Sequence, residues 1–367
     1  MLVLTLLTHL RPASRRPQSG QQAPSGQRVN PRLWAVGRKA HLRGLETGAS
    51  VLLLGILLLA GLAACSGVGP DKTLTLGTLL PTSGASSAVG LAMQQAVDLA
   101  VKQNAALPNG YSLTDTHLDE NSIGGAAAVT TLASNSQLMC IVGPLDSETA
   151  LDMLPVVEQQ GLATITPAAT LPGLTQADAA ATEGLIFSQL HPKGKPVAFF
   201  RLPATDTALG KAAADAATAS TASHGLNARA VFVVDDGMAS GKALAEAFNA
   251  ELKAHGGNVV GQATLTVGAQ DNTQSIVSAI VEAYPDAVFF AGGVAAGAEL
   301  RSTLSLTGAP QLPLLITGPA AADPDWSKTV GLAAASAYTT ALLPAPDITT
   351  LPDATTTKAF TTAYQSA

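Results

Sequence analysis

Two cysteines in 367 residues are too few for a disulfide framework. Aromatic side chains make up only 4% of the chain, which argues against a surface that stacks nucleic-acid bases. Charged residues make up 13% and hydrophobic residues 47%, so the chain has ample material for a buried core. Six histidines are present without metal-ligand spacing, so no metal is expected. No Gly-x-Ser-x-Gly elbow is present, which removes the common hydrolase nucleophile. Gly237-Met238-Ala239-Ser240-Gly241-Lys242-Ala243 has three residues between its glycines, and Ala243 stands where a phosphate loop needs Ser or Thr. Gly292-Gly293 with Gly297 misses the dinucleotide fingerprint. Asp235-Asp236 reads as a solvated strand-end turn rather than an acid–base pair. No catalytic residue and no cofactor is therefore expected.

Basic residues are scarce in most of the chain. Residues 1–65 hold eight Lys/Arg and one acid, Glu46. The remainder carries 12 basic and 25 acidic residues, a net charge of −13. Such a body repels a phosphate backbone, so nucleic acid is not an expected partner.

The N-terminal basic residues precede an apolar run. Arg38, Lys39 and Arg43 lead into residues 51–64, which end Leu62-Ala63-Ala64 before Cys65. A basic region, a short apolar core and small residues before a cut site describe an export signal. The run is shorter than the ~20 residues of a membrane span. Leu62-Ala63-Ala64-Cys65 resembles the bacterial lipobox, which implies that Cys65 is lipidated and becomes the first residue of the mature chain. The alternative is an uncleaved membrane helix. Residues 1–37, rich in Pro, Gln, Arg and Ser, read as a misassigned start or a disordered extension.

From residue 73 onward, short apolar runs alternate with helical patterns. Strands are expected at Leu74–Leu80, Leu113–Leu118, Leu138–Val142, Leu162–Thr166, Val197–Arg201, Ala230–Val234, Val259–Thr266, Ala287–Ala291 and Leu312–Ile316. Helices are expected at 89–104, 123–134, 147–160, 206–222, 240–255, 272–283 and 295–306. This order means parallel sheets with helices on both faces. The pattern pauses at Pro203, which makes Thr205-Asp206 the expected hinge, and breaks again at 342–354. Cys140 lies in an apolar run and is expected to be a buried free thiol.

Four segments resemble the type I periplasmic binding proteins, in particular the Leu/Ile/Val receptors of ABC transporters. They are Leu76-Gly77-Thr78-Leu79-Leu80-Pro81-Thr82-Ser83-Gly84, Asp119-Glu120-Asn121-Ser122, Ile141-Val142-Gly143-Pro144-Leu145-Asp146-Ser147 and Ile165-Thr166-Pro167-Ala168-Ala169-Thr170. The resemblance covers residues 73 to 366. It implies an α/β fold of two doubly wound Rossmann-like lobes joined by a hinge, with the C-terminal part incomplete. Residues 1–64 would be leader and lipoprotein signal peptide, and 65–72 a lipidated tether. Lobe 1 would span 73–204 and lobe 2 205–341, and 342–367 would return toward lobe 1. The implied function is capture of a small polar solute for an ABC permease and its ATPase. The expected location is the extracytoplasmic side of a bacterial membrane, held there by the lipid anchor.

The loops concerned follow strand ends and open helices, where open α/β sheets bind ligands and backbone N–H groups favour anions. In the family, the residues matching Ser147, Ala168 and Thr170 hold a ligand carboxylate. Ser147 could also cap its helix. Ser83, Ala169, Ser240 and Gly293 complete the candidate site. Ser240 stands where the family has an aromatic, Val89 replaces another, and none is present near Ala291-Gly292-Gly293-Val294. The acid that should follow Gly318-Pro319 is Ala320, with Asp323, Asp325 or Asp236 as possible substitutes. An amino acid, another carboxylate or an amide all remain ligand classes. The alternative is a lipoprotein interaction or regulatory module that kept the fold.

Overall fold

The computed structural model describes residues 72–220, 225–307, 313–318, 326, 330, 339–341 and 354–366. The leader, Cys65, most of the 342–354 break, and Ala320, Asp323 and Asp325 lie outside the described residues.

The first sheet has five strands: β1 (Thr73–Leu80), β2 (Ser112–Asp119), β3 (Leu138–Val142), β4 (Ala163–Thr166) and β5 (Phe199–Arg201), in the order β2-β1-β3-β4-β5. All its pairings are parallel. Parallel neighbours need helical crossovers. α1 (Ser87–Gln103), α2 (Gly125–Ala133) and α3 (Ser147–Gln160) supply the first three. β1 is buried from Thr75 to Leu80 because helices cover both its faces. Leu79 and Ile141 pack with Val129 and Leu132 of α2 and Met153 and Val157 of α3. A short 3₁₀ turn (Pro172–Leu174), α4 (Ala177–Thr182) and α5 (Phe187–Leu190) fill the stretch between β4 and β5, which the sequence pattern left without elements.

The second sheet repeats this winding with β6 (Ala230–Asp235), β7 (Asn258–Thr264), β8 (Ala287–Ala291), β9 (Leu314–Thr317) and β10 (Thr339–Ala341) in the order β7-β6-β8-β9-β10. Its helices are α6 (Asp206–Thr218), α7 (Ala239–Ala254), α8 (Gln270–Ala283) and α9 (Val294–Ser305). Strand alternation splits its core into two layers. Phe232, Val234 and Phe290 pack under Ile276, Ile280 and Leu300. Val231, Val233 and Phe289 pack under Ala213, Ala217, Leu244 and Phe248 on the other face. The Phe248 and Phe289 rings stack with centroids 3.8 Å apart. Among the described residues, α10 (Ala354–Ser366) closes the chain.

Several boundaries differ from the pattern for identifiable reasons. α6 stops at Thr218 rather than 222, because Leu226, Asn227 and Ala228 return to donate to the carbonyls of Ala216, Ala219 and Ala217. β7 ends at Thr264 because the Thr266 N–H leaves the ladder for Asn272 Oδ1 at 2.9 Å. β5 begins two residues late, and the N–H groups of Ala198 and Phe199 go to the buried carboxylate of Glu158. Cys140 is a buried free thiol in β3. Among the described residues, no helix is long and apolar enough to cross a membrane.

Candidate functional site

In both sheets the winding reverses between the first and third strands, and a crevice at the strand C-termini follows from that. Five loops open there, after β1, β3, β4, β6 and β8. Gly143 begins the second of them at φ +127°, with no room for a side chain, since a Cβ would lie 2.0 Å from Leu79 O.

The loop after β1 is tied down by Asp119 at the end of β2. Asp119 accepts from Thr82 N at 2.9 Å and from Ser83 Oγ at 2.6 Å. The Ser83 hydroxyl holds the Asp119 carboxyl below its ordinary range. Asn121 Nδ2 donates to Ser83 O. Ser83 thus serves its own loop.

The loop after β3 wraps a second acid. Glu120 accepts from Leu145 N and Asp146 N at 2.8 and 2.9 Å. Burial pushes Glu120 up to about 7 despite those two donors. Asp146 is the cap of α3 and accepts from Glu148 N, so Ser147 is free of that task. Ser147 is 4% exposed. Its Oγ accepts instead from Thr170 N at 3.1 Å and Leu171 N at 3.2 Å. Thr166, which stands for the family's serine, keeps the turn with its hydroxyl. It donates to Pro144 O and accepts from Ala168 N and Ala169 N.

Thr170 then reaches the second sheet's helices. Its Oγ1 lies 3.1 Å from Ser240 Oγ, and Ser240 Oγ donates to Asp206 Oδ2 at 2.7 Å. Asp206 is 1% exposed at the first turn of α6, and its N–H donates to Thr170 O. Burial pushes its carboxyl from 3.8 to about 6, while the Ser240 and Thr170 hydroxyls and Arg201 pull the other way. A second tie lies beside it: Glu148 Oε1 accepts from Ala239 N, the first residue of α7, at 2.9 Å. Burial and the neighbouring Asp146 push Glu148 up to about 8. Ala239 and Ala243 of α7 pack with Ala150, Leu154, Ala169 and Leu171, so an apolar floor underlies the polar ties.

The fold therefore brings Ser147, Thr170 and Ser240 into one network, with Ala168 and Ala169 on the adjoining turn. Gly293 stands apart: its N–H donates to Asp236 Oδ2 at 2.9 Å, and that carboxylate also accepts from Met238 N. Ser83 stands apart at Asp119. Sequence reasoning missed Asp206 and Glu148. The available signals were the Thr205-Asp206 pause and the acid in the first turn of α3. A cavity of about 380 Å³ lies elsewhere, against β5 around Phe199 and Arg201.

A family model described as periplasmic binding protein matches residues 73–367. The chain belongs to the periplasmic binding protein family. This is an extracytoplasmic, non-enzymatic family. Solved structures agree on the fold. A leucine-binding protein from Thermotoga maritima aligns with this periplasmic binding protein at 20% identity and TM-score 0.57, over 71% of this chain and 67% of that one. A branched-chain amino-acid binding protein from Streptococcus pneumoniae, solved with isoleucine, aligns at 19% and 0.61, over 80% and 77%. An ABC-transporter solute-binding protein from Rhodopseudomonas palustris, solved with 3,4-dihydroxybenzoic acid, aligns at 19% and 0.61, over 81% and 74%. No curated protein matches the sequence.

Proposed function

We propose that this periplasmic binding protein is the solute-binding lipoprotein of an ABC importer. Anchored through Cys65, it captures a small polar solute between lobes 73–204 and 205–341 and presents it to a permease and its ATPase. The observation that carries this reading is the Ser147–Thr170–Ser240–Asp206 network, with the Glu148–Ala239 tie beside it. It joins the strand-end loops of one sheet to the helix N-termini of the other, where a solute held by both lobes favours closure.

The resemblance implies a ligand carboxylate at Ser147, Ala168 and Thr170, with Ala169 and Ser240 beside it, while Ser83 and Gly293 are held by Asp119 and Asp236. The N–H groups of Ala168, Ala169, Thr170 and Gly293 already have protein acceptors. Carboxyl groups, Asp206, Glu148 and Asp236, dominate the surroundings and act there as hydrogen-bond acceptors. An amino acid or amide that offers N–H donors fits them better than a bare carboxylate. Relatives of the same fold bind isoleucine and hydroxybenzoates.

One observation favours a second reading, an interaction or regulatory module. The network is satisfied by protein groups alone, which suits a junction that has lost its ligand. A thermal-shift screen of the full-length chain against amino acids, amides, urea, short carboxylates and sugars separates the two. A solute at about 100 times its dissociation constant adds about 2.7 kcal/mol. A cooperative melt that no solute shifts supports the module.

A further inference from the structure

A cluster outside the strand-end crevice has the geometry of a metal site. Asp115 and His117 are two residues apart on β2, the edge strand of the first sheet, so they share one face. α1 sets Asp98 against them. His117 Nε2 lies 3.3 Å from Asp98 Oδ1. One ligand atom from each of the three side chains falls within 4.8 Å of the others. Linear spacing hid this grouping, since the third ligand comes from another element.

Two independent features separate the cluster from an ordinary surface ion pair. Asp98 Oδ1 is shielded from water yet accepts no hydrogen bond of good geometry. The other ring nitrogen of His117, Nδ1, lies 2.9 Å from Oγ1 of Thr78, which is 0% exposed. In the tautomer whose Nδ1–H donates to that hydroxyl, Nε2 keeps a lone pair that points beside the carboxylate oxygen rather than at it. Two electron-rich atoms then lie side by side, and a cation set off the line between them takes a bond from each. A buried partner on the second nitrogen is the usual support for a metal-bound histidine. Zinc bonds of ~2.0–2.1 Å give a tetrahedral edge of about 3.3–3.4 Å, matching the observed Nε2–Oδ1 separation. Imidazole in the set favours zinc, nickel or cobalt over magnesium or calcium.

We propose that Asp98, Asp115 and His117 form a binding site for a divalent transition metal, zinc or a zinc-like ion. Water or an exogenous ligand fills the remaining position, and Thr78 orients the imidazole. Side-chain exposures of 31% for His117 and 44% for Asp98 place the cluster at the protein surface. A second cluster, Asp215, Glu251 and His255, has similar residue types. Its Asp215 side chain is 59% exposed, and it serves as an internal control.

The test titrates the chelator-treated, full-length protein with Zn²⁺ by calorimetry and with Co²⁺ by visible absorption. The wild type should bind one equivalent that His117→Ala and Asp98→Asn both lose, together with the cobalt bands. Thr78→Val should weaken that equivalent about 10–100-fold. His255→Ala should leave it unchanged. Melting in chelator checks folding, and each variant should melt cooperatively; Asp115→Asn, isosteric, is a further ligand variant. The proposal is overturned by no saturable binding in the wild type, by unchanged binding in His117→Ala, or by loss in His255→Ala alone.

Discussion

Asp206 offers a sharp test of the polar junction. Its carboxyl is 1% exposed and pushed from 3.8 to about 6, first by burial and second against the pull of Ser240, Thr170 and Arg201. A carboxyl that holds its proton more tightly folded than unfolded contributes stability below its unfolded value. That contribution is lost as pH rises through the folded value. The displacement from 3.8 to about 6 corresponds to about 3 kcal/mol. Asp206→Asn keeps an acceptor for Ser240 Oγ and cannot ionise. Urea unfolding of wild type and variant from about pH 4 to pH 7.5 gives the difference directly. Since the unfolded carboxyl is already partly ionised at pH 4, that difference should move by about 2.4 kcal/mol in favour of the variant across this range. Glu120 and Glu148, pushed up to about 7 and about 8, shift both proteins in the same way and cancel. Parallel pH profiles, or a movement of opposite sign, would refute the buried-carboxylate reasoning.

Other substitutions probe the scaffold. Ser147→Ala removes the acceptor shared by the Thr170 and Leu171 N–H groups. At about 1–3 kcal/mol per unsatisfied donor, the two together should lower unfolding stability by about 2–6 kcal/mol. Phe248→Ala empties a fully buried site stacked on Phe289, and denaturant unfolding should show a loss of about 3–5 kcal/mol. Burial pushes the Cys140 thiol up to about 11, so native protein should resist alkylation near neutral pH and label rapidly once urea unfolds it.

Most of the scaffold was legible because both sheets are buried on two faces. Leu138–Val142 and Ala287–Ala291 stand out as short apolar runs, and both strands have those bounds. The α3 helix at 147–160 was equally clear, with an acid and a serine at its start. The stretch between β4 and β5 was not, since α4 and α5 are only six and four residues long and carry no readable period. The candidate site divides along a similar line. Ser147, Thr170 and Ser240 follow strand ends, a position that the strand pattern alone marks. Asp206 and Glu148 matter because distant chain segments bury them, and no local pattern reports tertiary burial. His117 looked like an isolated histidine for the same reason: Thr78 and Asp98 reach it from β1 and α1.

Capture between the lobes is tested most directly by the affinity of a solute from the thermal-shift screen, measured by calorimetry in wild type and in a Thr170→Val, Ser240→Ala double variant. The expected result is saturable one-to-one binding that weakens at least about tenfold in the variant, as loss of two hydroxyl contacts requires. Equal affinity in both proteins would place the ligand away from the junction, and a well-folded wild type that binds no solute would contradict the receptor function.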